Sequence, residues 1–245
     1  MHVEVISTED LGDRSYLVHD GTSAVVVDPQ RDVDRVEKML ADLGVQCAMV
    51  VETHIHNDYV TGGFDLAMRN GCPYVVNAAD DVSFARLAVS DGDELTVGAM
   101  TIRVMATPGH TDTHLSYVIS EGEQIPAVFT GGSLLYGSVG RTDLVDVGRT
   151  EELTRAQYHS ARRLAAELPD AAPVYPTHGF GSFCSAGSAT GSAQELSAGL
   201  PPASYPRRTF AELPGDAVLL DVRRDDEHAT DHIPGAAHVP MHHLL

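Results

Sequence analysis

The sequence predicts an α/β (α+β) protein. Three observations carry this: β-branched runs alternate with helical spacings through roughly the first 180 residues, polar clusters fall where those runs end, and the composition changes after about residue 180.

The elements follow in order. "SYLVHD" and "SAVVVDP" are strands joined by Asp20-Gly21, a turn pair that signals a hairpin. "DVDRVEKMLADLG" places Val33, Val36, Met39, Leu40 and Leu43 at helical spacing and ends on Gly44, a C-cap residue. "CAMVVET" is a buried strand that runs straight into "HIHNDY". "GCPYVVNAAD" and "ELTVGAMTIRVMATP" repeat the strand theme, the second folding back at its glycine. "HLSYVIS" and "PAVFTGG" are further strands, "TRAQYHSARRLAAEL" is an amphipathic helix, and "APVYPTHG" is a short strand ending on a histidine. The stretch "GSFCSAGSATGSAQELSAGLPPASYP" is rich in Gly, Ser, Ala and Pro and reads as loop and linker. A strand at Val218–Val222, a charged segment and an "IPGA" turn then open a new pattern. The expected division is a domain over 1–200, a linker over 201–213 and a second segment over 214–245.

Charge narrows the function classes. Sixteen Lys+Arg against 35 Asp+Glu give a formal net charge of −19, which repels phosphate backbones and anionic lipid, so neither nucleic acid nor membrane is an expected partner. The opening "MHVEVISTED" has no basic n-region or apolar h-region, and no apolar run approaches the ~20 residues of a membrane span. Three cysteines, Cys47, Cys72 and Cys184, have no paired spacing, which fits reduced thiols and a cytoplasmic location.

The chemistry gathers at strand ends: Asp28, His54 to Asp58, His110, Gly131-Gly132 and His178. Neutral imidazole is the commonest ligand for transition metals, and histidines at i and i+2 on an extended loop can face one site. His54, His56 and His110 are therefore the expected metal ligands. Asp58 and His178 are expected either to bind the metal or to brace its ligands. His2, His19, His114, His159, His228, His242 and His243 carry no such signal. Spacing alone does not choose the metal.

"THIHNDYVTGG", "TPGHTDTHLSY", "FTGGSLLYGSVGRTDL" and "VYPTHGFGS" resemble, in family order, the metal loops of the metallo-β-lactamase superfamily, and the wording of "GSVGRTDL" and "HGFGS" is similar to its persulfide dioxygenase branch. The tail "LLDVRRDDEHATDHIPGAAHVP" resembles the opening of a rhodanese-like domain, whose sulfur-carrying cysteine would lie beyond Leu245. The resemblance implies an αββα sandwich over residues 1–200. It also implies one Fe(II) per chain, Zn(II) being the alternative, and oxidation of a low-molecular-weight thiol persulfide to sulfite. In that branch two histidines and an aspartate hold iron. His54 and His110 match, but Gly132 stands where the aspartate belongs, and as it follows Gly131 it is expected at φ > 0. His56 is the replacement by motif, with Asp58 or a water held by Ser133 as alternatives. Tyr59 replaces a histidine of the two-metal members, so at most one metal is expected.

Asp58 is the expected catalytic carboxylate, and Arg141, Tyr59 and Tyr136 are expected to contact substrate, with Phe180 walling the pocket. Arg141 either grips a substrate carboxylate or pairs with Asp143 to brace its loop. Cys184 is either inert or a persulfide carrier. Three functions compete: a persulfide dioxygenase, a one-zinc thioesterase of the hydroxyacylglutathione hydrolase type, and a metal-free binding module. The expected partners are a small thiol persulfide or thioester and other copies of the chain in a homo-oligomer.

Overall fold

A computed structural model describes residues 1–8, 11–136, 138–178, 182 and 184, and the short strands 194–195, 220–221 and 237–238. The chain divides into two units, Met1–Pro202 and Ala203–Leu245.

The first unit holds two six-stranded sheets. One contains, in spatial order, β1 (His2–Thr8), β2 (Asp13–His19), β3 (Ser23–Val27), β4 (Gln46–Val51), β5 (Tyr74–Asn77) and β6 (Leu87–Val89). Its first pairs are antiparallel, and from β3 onward the strands run parallel. The second contains β7 (Glu94–Val97), β8 (Met100–Ala106), β9 (Leu115–Glu121), β10 (Ala127–Gly131), β11 (Pro173–Pro176) and β12 (Gln194–Glu195), each beside its neighbour in sequence. Parallel pairs need crossovers, which place helices on the outer faces. Helices α1 (Asp34–Leu43) and α2 (Gly63–Asn70) follow β3 and β4, and α3 (Thr150–Glu167) precedes β11, which pairs parallel with β10.

Three apolar clusters define the layers. Val25, Val27, Val51 and Val75 of the first sheet meet Ile102, Tyr117 and Phe129 of the second between the sheets. Val36 and Leu40 of α1 and Leu66 of α2 cover the outside of the first sheet. Leu164 of α3 covers the second, with Val128 and Val174. The result is an αββα sandwich. Alternation along the strands sends successive residues to opposite layers, so Val25 and Val27 face the central cluster while Ala24 and Val26 face α1.

Gly44 caps α1 at φ 67°, as its sequence position predicts. The spacing missed β1, α2 and β6. Each is a short or half-exposed element whose type is decided by its neighbours rather than by its own periodicity.

In the second unit, β13 (Leu220–Asp221) pairs parallel with β14 (Ala237–His238). The expected linker at 201–213, and the rest of the segment expected to be rhodanese-like, lie outside the described residues. Among the described residues no helix is long and apolar enough to cross a membrane.

Candidate metal centre

Strand ends from both sheets converge on four imidazoles. His54 and His56 follow β4, His110 follows β8, and His178 follows β11. Ring centroids lie 4.1 Å apart for His54 and His56, 4.9 Å for His54 and His110, 5.3 Å for His54 and His178, and 5.5 Å for His110 and His178.

Hydrogen bonding decides which nitrogen of each ring is bare. Thr53 Oγ1 donates its only proton to Asp28 Oδ2 at 2.7 Å, so it accepts from His54 Nδ1 at 2.9 Å and leaves His54 Nε2 a lone pair. His178 Nδ1 donates to Asp13 Oδ1 at 2.9 Å, and His110 Nδ1 donates to the Arg141 carbonyl at 2.8 Å, so both Nε2 atoms are bare as well. His56 presents Nε2 to Asp28 Oδ1 and Glu52 Oε2, each at 3.4 Å, and to the Tyr59 hydroxyl at 2.9 Å. Its Nδ1 is buried, with no partner among the described residues.

His54 Nε2 faces His178 Nε2 at 3.3 Å. Two lone pairs at that separation repel unless a cation lies between them. These donors therefore fit a divalent transition ion on an observation independent of any motif.

Electrostatics agree. Burial, then the neighbouring imidazoles, push His54 well below the usual histidine range, and burial and His178 lower His110 to about 4. Both rings are neutral, as ligands must be. Burial would lower His56 too, but the Asp28 and Glu52 carboxylates outweigh it and carry it up to about 10. Burial would raise Asp28, yet His56 and the hydroxyls of Thr177 and Thr53 hold it at about 2. Burial leaves Glu52 raised, at about 6. Two carboxylates behind one ring favour positive charge at that ring, whether proton or metal.

Asp28 is the hub behind the site. Its carboxylate accepts from the Thr53 amide at 2.7 Å, from the Thr53 hydroxyl and from the Thr177 hydroxyl, joining the ends of β4 and β11. It adopts φ 50°, the one described non-glycine residue at positive φ, a conformation that occurs mainly where surroundings enforce it.

His178 shares a possible ligand group with His54 and His56 and another with His110 and Cys184, in each of which the donor atoms lie within 4.8 Å of one another. His178 is thus at the junction of the centre rather than at its fringe. Asp58 Oδ2 lies 3.3 Å from His178 Nδ1, while its Oδ1 is buried with no partner among the described residues. Tyr59 stacks on His56 at 4.3 Å and donates to the Asp28 carbonyl at 3.3 Å, so its phenol buttresses His56.

Two residues expected at the substrate are occupied otherwise. Tyr136 is 2% exposed and donates to the Val174 carbonyl at 3.2 Å. It is a core residue, because a buried phenol must spend its hydroxyl on an internal partner. The Arg141 side chain forks onto Asp143 at 2.9 and 2.7 Å, as in the loop-bracing alternative, and Arg141 reaches the site through its carbonyl on His110. Phe180 lies outside the described residues.

At the Gly131-Gly132 turn the positive φ, 52°, belongs to Gly131 and not to Gly132. A Cβ on Gly131 would sit 2.7 Å from His114 Nε2 and 2.7 Å from Thr53 Cβ. A Cβ on Gly132 would fall on the His110 ring, 2.6 Å from Nε2 and 2.8 Å from Cγ. His110 thus fills the space a side chain at 132 would need.

Asp13, Glu52 and His114 carried no sequence signal. Fully buried His114 uses both nitrogens, donating Nδ1–H to Thr107 Oγ1 at 2.9 Å and accepting from the Gly132 amide at 3.0 Å. It fixes the glycine turn and has no lone pair left for a metal.

Residues 10–178 match the model of the Metallo-beta-lactamase superfamily. The chain belongs to that superfamily. It is 30% identical over 173 residues to the protein named persulfide dioxygenase ETHE1, mitochondrial, of Homo sapiens, covering 69% of this chain and 65% of that one. It is 34% identical over 164 residues to the hydroxyacylglutathione hydrolase of Parasynechococcus marenigrum, covering 64% and 62%. The match thus spans less than two thirds of the length of these curated relatives. Among solved structures, ETHE1 from Myxococcus xanthus superposes with a TM-score of 0.68 at 30% identity over 80% of each chain. A Staphylococcus aureus metallo-beta-lactamase gives 0.72 at 22% identity over 98% of this chain and 85% of that one, which speaks to the fold alone. Superfamily relatives act as dioxygenases and hydrolases, and this chain carries donor groups suited to a metal.

Proposed function

We propose that this chain is a mononuclear metal-dependent enzyme of the persulfide dioxygenase type, converting a low-molecular-weight thiol persulfide, O₂ and water to the thiol, sulfite and protons. The observation that carries the reading is the meeting of four imidazoles at one edge, three of them with bare Nε2 lone pairs, together with the loss of groups for a second metal. Tyr59 is turned onto His56 and Gly132 is covered by His110, so two donors a second metal would use are gone. A single-metal dioxygenase is then favoured over a two-metal hydrolase. Likeness to the two ETHE1 proteins at 30% identity supports it, as does the rhodanese-like wording of the tail.

His54, His110 and His178, whose Nε2 lone pairs are bare, would hold the ion, and His56 could join through Nδ1 only after losing its extra proton. Bound there, Fe(II) would supply open positions at which the persulfide and O₂ meet. Asp28, Glu52 and Asp13 fix the rings from behind, and Asp58, whose buried Oδ1 has no partner among the described residues, would take a proton from the incoming persulfide. Oxygen uptake on adding glutathione persulfide to the Fe(II)-loaded protein tests the reading, and uptake no faster than the metal-free control removes it.

An all-imidazole donor set and 34% identity to a hydroxyacylglutathione hydrolase favour a second reading, a one-zinc thioesterase. Hydrolysis of acyl-thiol esters that requires zinc and continues without O₂ would select it.

A further inference from the structure

The carboxylates around the centre mostly stand behind the imidazoles. Asp28 and Glu52 face His56 Nε2, and Asp13 faces His178 Nδ1. A divalent ion held by neutral nitrogens alone would keep its full charge in a buried pocket, at a desolvation cost. No side chain from position 132 can relieve it, because His110 occupies the space.

Cys184 is in position to do so. Its residue is fully buried, and its Sγ lies with one nitrogen each of His110 and His178 inside 4.8 Å. Bonds of about 2.0–2.3 Å to a tetrahedral metal set ligands roughly 3.5 Å apart, so a contraction of about 1 Å closes the group. Asp58 flanks it, with Oδ2 3.4 Å from the sulfur and Oδ1 buried without a partner among the described residues, on a side chain 9% exposed. The main chain fixes the cysteine, since its carbonyl accepts from the Arg141 amide at 2.9 Å, and the Arg141 carbonyl in turn orients His110.

We propose that the Cys184 thiolate is the anionic ligand of this metal centre, joining His110 and His178 in place of the carboxylate absent at Gly132. The inference rests on the one-metal reading above. Without metal the thiol donates to Asp58 Oδ2 at 3.4 Å. On binding, the S–H bond breaks, Asp58 accepts the proton and passes it to solvent, and sulfur's electron pair forms the metal bond.

Titration of the full chain with Co(II), followed by absorption, tests this. The wild type is expected to show a thiolate-to-cobalt charge-transfer band in the near ultraviolet, growing to one equivalent. The band should persist in C47S/C72S, which removes the other two thiols, and vanish in C184S. Affinity in C184S should fall by more than the roughly 10–100-fold typical of losing a group one step behind a ligand. Ligand-field bands without a charge-transfer band in the wild type would overturn the proposal and leave the one-metal reading standing. No Co(II) uptake would overturn both. Loss of the band in C47S/C72S would assign it to that pair and likewise overturn the proposal. Because the wild-type spectrum decides, a C184S variant that fails to fold does not weaken the test.

Discussion

The His110 ring lies where a side chain on Gly132 would have to begin, with Nε2 2.6 Å from the Cβ position. Gly132→Asp is therefore expected to displace His110 rather than to restore an iron ligand. Metal content by elemental analysis should fall below wild type, and thermal or urea unfolding should show a loss of about 1–3 kcal/mol from overpacking. Increased iron affinity in G132D would mean that His110 can turn away at little cost.

His178 belongs to both donor groups, so its removal should be as damaging as removal of His54. H178A and H54A are each expected to bind less than a tenth of the wild-type metal under matched loading, and wild type should saturate at one equivalent per chain. Retention of most metal in H178A would place the centre on His54, His56 and His110 alone.

Asp28→Asn keeps the shape of the hub and removes its charge. His56 then loses its strongest source of positive bias, and metal affinity should drop roughly 10–100-fold. Competition with a chelator measures this, and an unchanged affinity would show that Glu52 suffices to orient the ring.

Asp20 offers a pH test remote from the metal. Amides of Ser23, Ala99 and Thr22 donate to its carboxylate and lower its pKa to about 2. Its folded pKa lies below the unfolded value near 4, so its stabilisation is present above about pH 4 and is lost as pH falls toward 2. The stability difference between wild type and D20N, from urea midpoints, should shrink over that interval. A constant difference from pH 5 to pH 2 would show that charge plays no part.

Phe129 is fully buried between the sheets, stacked on Tyr175 at 5.1 Å and edge-on to Tyr16 at 5.4 Å. Phe129→Ala should cost about 3–5 kcal/mol. Equilibrium denaturation reads it, and a loss below about 1 kcal/mol would mean that the core collapses around the gap.

Much of the fold was legible because buried strands need continuous β-branched runs, and α1 needs Val36 and Leu40 on one face. The four imidazoles were legible because each follows a strand and so shares an edge with the others. Asp13 was not, because its partner His178 lies 165 positions away, and Glu52 and His114 were not, because a lone carboxylate or imidazole near a site histidine shows its role only once the fold turns it inward. The exchange of φ between Gly131 and Gly132 was hidden for a related reason. Either glycine tolerates the turn, and only the packing of His114 and Thr53 selects one.

Three bonds that sew the two sheets together lie at the edge that carries the histidines. Asp28 reaches Thr177, the Tyr117 hydroxyl donates to the Glu52 carbonyl at 2.8 Å, and the Leu115 amide donates to the Thr53 carbonyl at 2.7 Å. The opposite edge has ties of its own, from the Ala99 amide to Asp20 beside Gly21 and from the Met1 amino group to Glu121, but no donor group suited to a metal among the described residues. A descendant of this chain can thus acquire insertions, tags or docking loops there without disturbing the metal chemistry, provided the Asp20 and Met1 ties are kept. One rim is free to diversify because the other is not.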